Sequence, residues 1–324
     1  MVGGIVVVAV VLALISGGVF DSSHHHGSKT KTADGTTTTT PAASTTTAST
    51  TPPTTVPVAS VKPLALSALE KFLKPVTPPP TSLACNAPDK STGSSSTTTT
   101  TTPAKGRAVS IVPAPAGVGF PKLNGSSPRY TSFTAAPPFC INVNDTYTAT
   151  MKTTAGTIVI RLLPKYAPVT VNNFVFLAGY HYFDGTVFHR VIPGFVDQGG
   201  DPTATGTGGP GYKFNDELPK STKAYDAGAL AMANSGANTN GSQFFLVVGD
   251  GGQGLQAASY SMYGQVISGL DVANKINAGG TSGGTPKTYY KIDSVSIAVT
   301  PGTASSPTTT TKTSSTTTKT STTS

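Results

Sequence analysis

The sequence has little with which to hold a metal, a phosphate or a nucleic acid. Two cysteines and five histidines stand among 324 residues, and no Cys/His cluster with metal-ligand spacing falls in the globular stretch. His24, His25 and His26 are consecutive and lack other ligand types nearby; they are read as incidental. No G-x-S-x-G elbow for a serine nucleophile is present. GTGGPG (residues 206–211) and GDGGQG (residues 249–254) fit G-x-G-x-x-G, but neither opens a helix after a strand, so neither marks a dinucleotide site. Charge is scarce too, at 11% of residues. The formal net charge of +8 arises outside the globular stretch: residues 145–300 hold ten Lys/Arg and ten Asp/Glu. The flanking positives are scattered through Thr/Pro tracts and form no stripe, which excludes the electrostatic footprint of a nucleic-acid binder.

Long parts of the chain also lack the apolar surface needed for a core. Thr, Ser and Pro fill residues 29–60, 91–103 and 301–324; such composition cannot offset chain entropy and predicts disorder. Residues 1–20, MVGGIVVVAVVLALISGGVF, carry no charged side chain. As a helix of about 30 Å they match the thickness of a hydrocarbon core. A basic start and a good small-x-small cleavage site are both missing, which favours a retained anchor over a cleaved signal peptide. Lys29 and Lys31 after the span pull the positive-inside tendency the other way.

These features divide the chain into an anchor or signal segment (1–20), a Thr/Ser/Pro-rich linker (21–104), an extended approach segment (105–145), a globular domain (146–300) and a Thr-rich tail (301–324). Within the linker, PLALSALEKFLKP places Leu66, Leu69, Phe72 and Leu73 near one helical face and predicts a short helix over 64–74. Cys85 and Cys140 both precede the domain. They are either two unrelated thiols or one disulfide tying the linker to the domain entrance, as an exported chain with an even cysteine count favours.

Inside the domain, TYTATMKTTAGTIVIRLL (residues 146–163) reads as a hairpin; PKYAPVTVNNFVFLAGY (164–180), where Val171, Phe174, Val175 and Ala178 keep a helical period, reads as a helix that Gly179 stops. Strands are expected over 186–200, in GALAMA and SQFFLVVG, in YSMYGQV and in YKIDSVSIAV, with a second helix in SGLDVANKINAG. Short strands and two helices without a βαβ rhythm predict an antiparallel barrel or sandwich. One residue conflicts with this pattern. TVFHRVIPGFVDQGG (186–200) sets Arg190 among Val187, Phe188, Val191, Ile192 and Phe195, although a guanidinium stays charged and is costly to bury alone.

The blocks FHRVIPGFVDQGGDP (188–202), GTGGPGYKFNDE (206–217), LAMANSGANTNGSQFF (230–245) and YGQVISGLDV (263–272), in that order, resemble the cyclophilins, and in particular exported or membrane-anchored bacterial members. The resemblance covers roughly half the chain. It implies a mainly β fold: a closed eight-stranded antiparallel barrel capped by two helices. It also implies peptidyl-prolyl cis-trans isomerisation without a cofactor, by a monomer that acts on proline-containing segments of unfolded or surface proteins. The alternative use of such a domain is proline-directed binding or chaperoning with incidental catalysis.

By the family pattern Arg190, Gln198 and Phe195 carry catalysis. Phe195, Val196, Phe245 and Leu255 line the proline pocket, and Ala233, Asn234 and Gln243 face the residues before the proline. Tyr260 stands where the family has a histidine, and Gly254 where well-studied members have tryptophan, a residue this chain lacks altogether. His189 and Met232 are read as structural. Arg190, Val196 and Gln198 share period-two parity while Phe195 does not, and the Pro193–Gly194 pair is the expected place for a bend that re-aims the strand. The expected location is the cell envelope, with the domain outside the cytoplasm, or alternatively secretion.

Overall fold

Eight antiparallel strands and two longer helices are built from residues 146–300 of the chain, with earlier residues packed around them. The structure is a computed structural model and describes residues 64–77, 79–81, 85, 107–249, 255 and 257–302, all within one unit spanning Ser60–Ser324. The expected anchor (1–20), His24 to His26, most of the linker and the tail beyond residue 302 lie outside the described residues. Among the described residues no helix is long and apolar enough to cross a membrane.

Strand β1 (Thr146–Thr153) alternates inward Tyr147, Ala149, Met151 and Thr153 with outward residues, and a two-residue turn returns the chain as β2 (Gly156–Leu162). Thr153 Oγ1 accepts from Ala155 and Gly156 N–H, which fixes that turn. The remaining strands are β3 (Arg190–Ile192), β4 (Val196–Gly199), β5 (Ala229–Met232), β6 (Phe244–Val247), β7 (Met262–Ser268) and β8 (Ile292–Thr300). They form one sheet in the order β3-β4-β6-β5-β7-β2-β1-β8, a half-barrel. Its edge strands share no ladder. The residues leading into them meet at a Val187–Lys291 bridge, with Phe188 N–H donating to Tyr290 O at 3.0 Å and Ile292 N–H to Thr186 O at 2.8 Å.

The stretch read as one strand over 186–200 is two strands, β3 and β4. Its chain does not bend at Pro193–Gly194; it reverses, so that β3 and β4 are antiparallel neighbours joined by residues 193–195. Gly194 supports the reversal with φ +70°, a conformation open to glycine at low cost.

Helix α2 (Pro168–Gly179) follows a four-residue helical turn, α1 (Leu66–Leu69), met earlier in the chain. Pro168 at its first turn needs no N–H partner, and a distant carboxylate caps the rest. Glu217 accepts from Val169 N–H at 3.0 Å, Thr170 N–H at 2.8 Å and the Thr170 hydroxyl at 2.8 Å. The helix is buried nearly all round, beyond the face predicted from Val171, Phe174, Val175 and Ala178. The reason is the segment before the domain. Residues 107–141 wrap α2, with the Phe133 ring 4.9 Å from that of Phe176 and 5.8 Å from that of Tyr180. Asn172 Oδ1 accepts from Cys140 N–H at 2.8 Å while its amide donates to Pro138 O. A disulfide joins Cys140 to Cys85, their Cα atoms 5.6 Å apart. Helix α3 (Leu270–Ala278) packs against β2, β3 and β4.

Neighbouring residues of a strand enter different apolar clusters because successive side chains leave opposite faces of a sheet. Phe244, Leu230 and Met232 belong to the main core with Phe174, Phe183 and Phe188. Phe245, Ala229 and Ala231 belong to a second cluster on the other face, and this second face carries the site.

Candidate active site

The reversal at residues 193–195 sets Arg190 directly opposite Gln198, and the next ladder sets Gln198 opposite Phe245. Arg190 and Gln198 therefore meet through cross-strand pairing rather than shared parity along one strand. The guanidinium Nη1 donates to Gln198 Oε1 at 3.3 Å. Gln198 Nε2 donates to Gln243 Oε1 at 2.9 Å, and Gln243 Nε2 to the carbonyl of Gly208 at 2.9 Å. Among the described residues Arg190 forms no ion pair, so a structural salt bridge does not explain it. Its partial burial lowers its pKa from the ordinary arginine value, and the neighbouring Tyr260 opposes that shift. Loop residue Gly284 lies over its stem, where a Cβ would come 3.1 Å from Arg190 Cγ.

An apolar wall adjoins this cation. Val196 and Phe245 are buried in the second cluster, and Phe195, Ala233, Leu255 and Tyr260 pack against it partly exposed. The Tyr260 ring meets Phe245 edge-on, centroids 5.2 Å apart and planes at 89°, a favoured aromatic geometry. Burial raises the Tyr260 pKa and the nearby Arg190 lowers it. All the apolar residues expected at the pocket thus share one cluster. Met232 is buried on the opposite face.

On the amide side an open cavity of about 620 Å³ is lined by Gln198, Gly208, Lys213, Ala233, Asn234 and Gln243, among others. Its rim is held by polar contacts. Ala233 N–H donates to Gln243 O at 2.9 Å, and Asn234 Nδ2 donates to Ser259 O at 2.9 Å. The Asn240 side chain is buried, donating to Asn215 O and Asp216 Oδ1. Asn240 opens an Asn-Gly-Ser triplet (240–242), formally a glycosylation acceptor, and its burial makes the triplet loop structure rather than an exposed acceptor. His189 lies beneath Gly206, and burial lowers its pKa, which favours the neutral imidazole.

Several supporting residues had no signal strong enough to be named from the sequence. Asp201 organises the glycine-rich loop. Its carboxylate accepts from the N–H groups of Thr203, Thr205, Gly206 and Gly208 and from the Thr203 hydroxyl. These bonds hold its pKa below the ordinary value despite burial. Asn277 of α3 clamps the β3–β4 reversal: it accepts from Gly194 N–H at 2.7 Å and donates to Ile192 O at 2.9 Å and Asp197 Oδ1 at 2.7 Å. Burial pushes the Asp197 carboxyl up to about 8. Tyr225 holds Tyr260 by its main chain, donating to Tyr260 O at 2.7 Å and accepting from Tyr260 N–H at 3.0 Å.

Comparison with known proteins gives the family of the domain. The family model "Cyclophilin type peptidyl-prolyl cis-trans isomerase/CLD" matches residues 148–297. Peptidyl-prolyl cis-trans isomerase B of Streptomyces anulatus is 44% identical over 166 residues, covering 46% of this chain and 92% of that protein. The protein of the same name from Bacillus subtilis is 47% identical over 122 residues, covering 38% of this chain and 84% of its own. Among solved structures, a cyclophilin-type peptidyl-prolyl cis-trans isomerase of Cryptosporidium parvum aligns with 32% identity and a TM-score of 0.44, covering 48% of this chain and 99% of that one. The chain belongs to the cyclophilin-type peptidyl-prolyl isomerase family.

Proposed function

We propose that the protein is a peptidyl-prolyl cis-trans isomerase that accelerates rotation about X–Pro bonds by electrostatic weakening of amide conjugation, with Arg190 as the cation. The observation that carries the reading is Arg190 itself: a guanidinium held by Gln198 beside an apolar wall, with no carboxylate paired to it among the described residues. Rotation about a peptide bond meets a barrier of about 18–20 kcal/mol because resonance must be broken. As the amide twists, the prolyl nitrogen regains a lone pair. A fixed cation with directed N–H donors binds that form better than either planar one, and only such differential binding speeds the step. Each 1.36 kcal/mol of it is worth about tenfold in rate. Phe195, Val196, Phe245 and Leu255 receive the proline ring; Ala233, Asn234, Gln243 and Tyr260 meet the flanking peptide. No nucleophile or proton transfer is required. The same reading takes the half-barrel as closed across the Val187–Lys291 bridge.

The test is catalysed isomerisation of a short X–Pro peptide by the wild type and by Arg190→Ala. A loss of at least tenfold is expected. Full activity in the variant would remove the catalytic assignment, and retained client binding with the cellular effect intact would favour a binding or chaperone role instead.

The reading extends to place. Residues 1–20 act as a retained anchor, and the domain works outside the cytoplasm on exported or surface chains, as a monomer. Support comes from the uncharged apolar run and from a disulfide, which suits an oxidising compartment. Extraction of native membranes at alkaline pH should leave the protein in the pellet; release into the supernatant would count against an anchor.

A further inference from the structure

The residues that precede the family-matched region 148–297 include a short apolar element that reaches the back of the site. The α1 turn continues as a tighter turn over Glu70–Phe72. Its Leu69 and Leu73 are fully buried. They do not join the main core. They join the second cluster, together with Val196, Ala231, Phe245 and Met262. Two main-chain bonds dock the segment: Lys220 N–H donates to Phe72 O at 2.9 Å, and Val76 N–H donates to Lys165 O at 3.1 Å.

Tyr225 lies in the same cluster and is fully buried. Its phenol spans the main chain of Tyr260 with one donated and one accepted hydrogen bond. Tyr260 in turn leans on Phe245 and lies close enough to Arg190 for each to shift the other's titration. An apolar path therefore runs from Leu69 and Leu73 through Tyr225 to Tyr260 and the pocket wall. Packed side chains along it transmit small displacements because interiors are close-packed.

We propose that residues 64–76 and Tyr225 are positioning elements of the isomerase site, setting Tyr260 and Phe245 against the peptide that Arg190 acts on. This rests on the isomerase reading given above. A helix of barely two turns is marginal in isolation, so its burial serves the surface it covers as much as its own folding. The element makes no contact with substrate in this scheme; it fixes the geometry of residues that do.

The test uses the full chain. Tyr225→Phe removes both hydrogen bonds to Tyr260 and keeps the ring; Leu69→Ala with Leu73→Ala loosens the docked segment. Val295→Ala, in β8 and the main core, is the control for general destabilisation. kcat and KM for one X–Pro peptide are measured well below each thermal midpoint. Tyr225→Phe and the double variant are expected to raise KM three- to tenfold with kcat within twofold, while Val295→Ala lowers the midpoint and leaves KM unchanged. Wild-type KM in both site-side variants, or an equal rise in Val295→Ala, would overturn the proposal. If the wild type itself fails to isomerise the peptide, the isomerase reading falls. The positioning claim is then judged from amide chemical shifts of Phe245 and Tyr260 in the double variant: displaced shifts uphold it, unchanged shifts overturn it.

Discussion

Arg190 and Gln198 face each other across the β3–β4 hairpin, and the guanidinium donates to the glutamine carbonyl at 3.3 Å. A neutral partner at that distance orients the cation without cancelling its charge. A carboxylate in the same place would do the opposite, since charge-assisted pairs are roughly twice as strong and neutralise the field. The pairing also separates two requirements on Arg190. The hairpin ladder fixes its backbone, and the amide fixes the plane of its fork.

Arg190→Lys should therefore be nearly as harmful as Arg190→Ala in an X–Pro isomerisation assay. Lysine keeps the charge but lacks the planar fork that Gln198 orients. A kcat/KM at least tenfold below wild type is expected for both, with unchanged circular dichroism. Near-normal activity in Arg190→Lys would mean that charge alone suffices.

The buried Asp197 predicts a pH dependence of stability. Its carboxyl is held at about 8 in the folded protein, from an ordinary value of 3.8, so the folded state binds this proton more tightly than the unfolded chain. For this group stability is highest below about pH 4, falls as pH rises toward 8, and is level above it. The total is on the order of 6 kcal/mol at most. Asp197→Asn keeps an acceptor for Asn277 and removes the titration. Thermal midpoints from pH 5 to pH 9 should show a flatter profile in the variant and a gain over wild type at pH 9.

The segment before the strands should be inseparable from the domain. Phe133 contacts Phe176, Tyr180, Tyr130 and Tyr212 by ring packing. Phe133→Ala is expected to cost about 3–5 kcal/mol in chemical denaturation, and a chain starting at residue 146 should lose more. A truncated chain as stable as the full one would show that α2 tolerates exposure of its outer side.

Reduction should weaken the protein without touching the site. The Cys85–Cys140 bridge spans 55 residues in sequence, and chain entropy assigns a loop of that size about 4 kcal/mol. Cys85→Ser should lower the thermal midpoint as reduction does, with kcat/KM at low temperature unchanged.

Much of this was legible in the sequence, and the misreadings have physical causes. The hairpin at residues 153–156 and both long helices follow from periodicity and glycine stops. Motif order led to Arg190, Gln198 and the apolar residues Phe195, Val196, Phe245 and Leu255, and the folded chain brings them together. Parity misjudged how Arg190 meets Gln198, because a three-residue reversal resets the phase of a strand. Residues 107–141 look like extended approach, since Pro and Gly obscure any period; their burial is set by the outer side of α2. Tyr225 and Asn277 gave no sequence signal at all. Their roles depend on which main-chain groups the fold leaves in need of partners.

The three amide-to-carbonyl links from Arg190 through Gln198 and Gln243 to Gly208 have a sense of direction. A guanidinium can only donate and a main-chain carbonyl can only accept, so the two ends forbid either glutamine from turning over. Each side-chain dipole then presents its oxygen toward the arginine and its nitrogen toward the loop, like beads strung one way. Flipping one bead would set N–H against N–H at the guanidinium. The glycine-rich loop, pinned by Asp201, thus serves as the fixed end of a line whose other end is the Arg190 guanidinium.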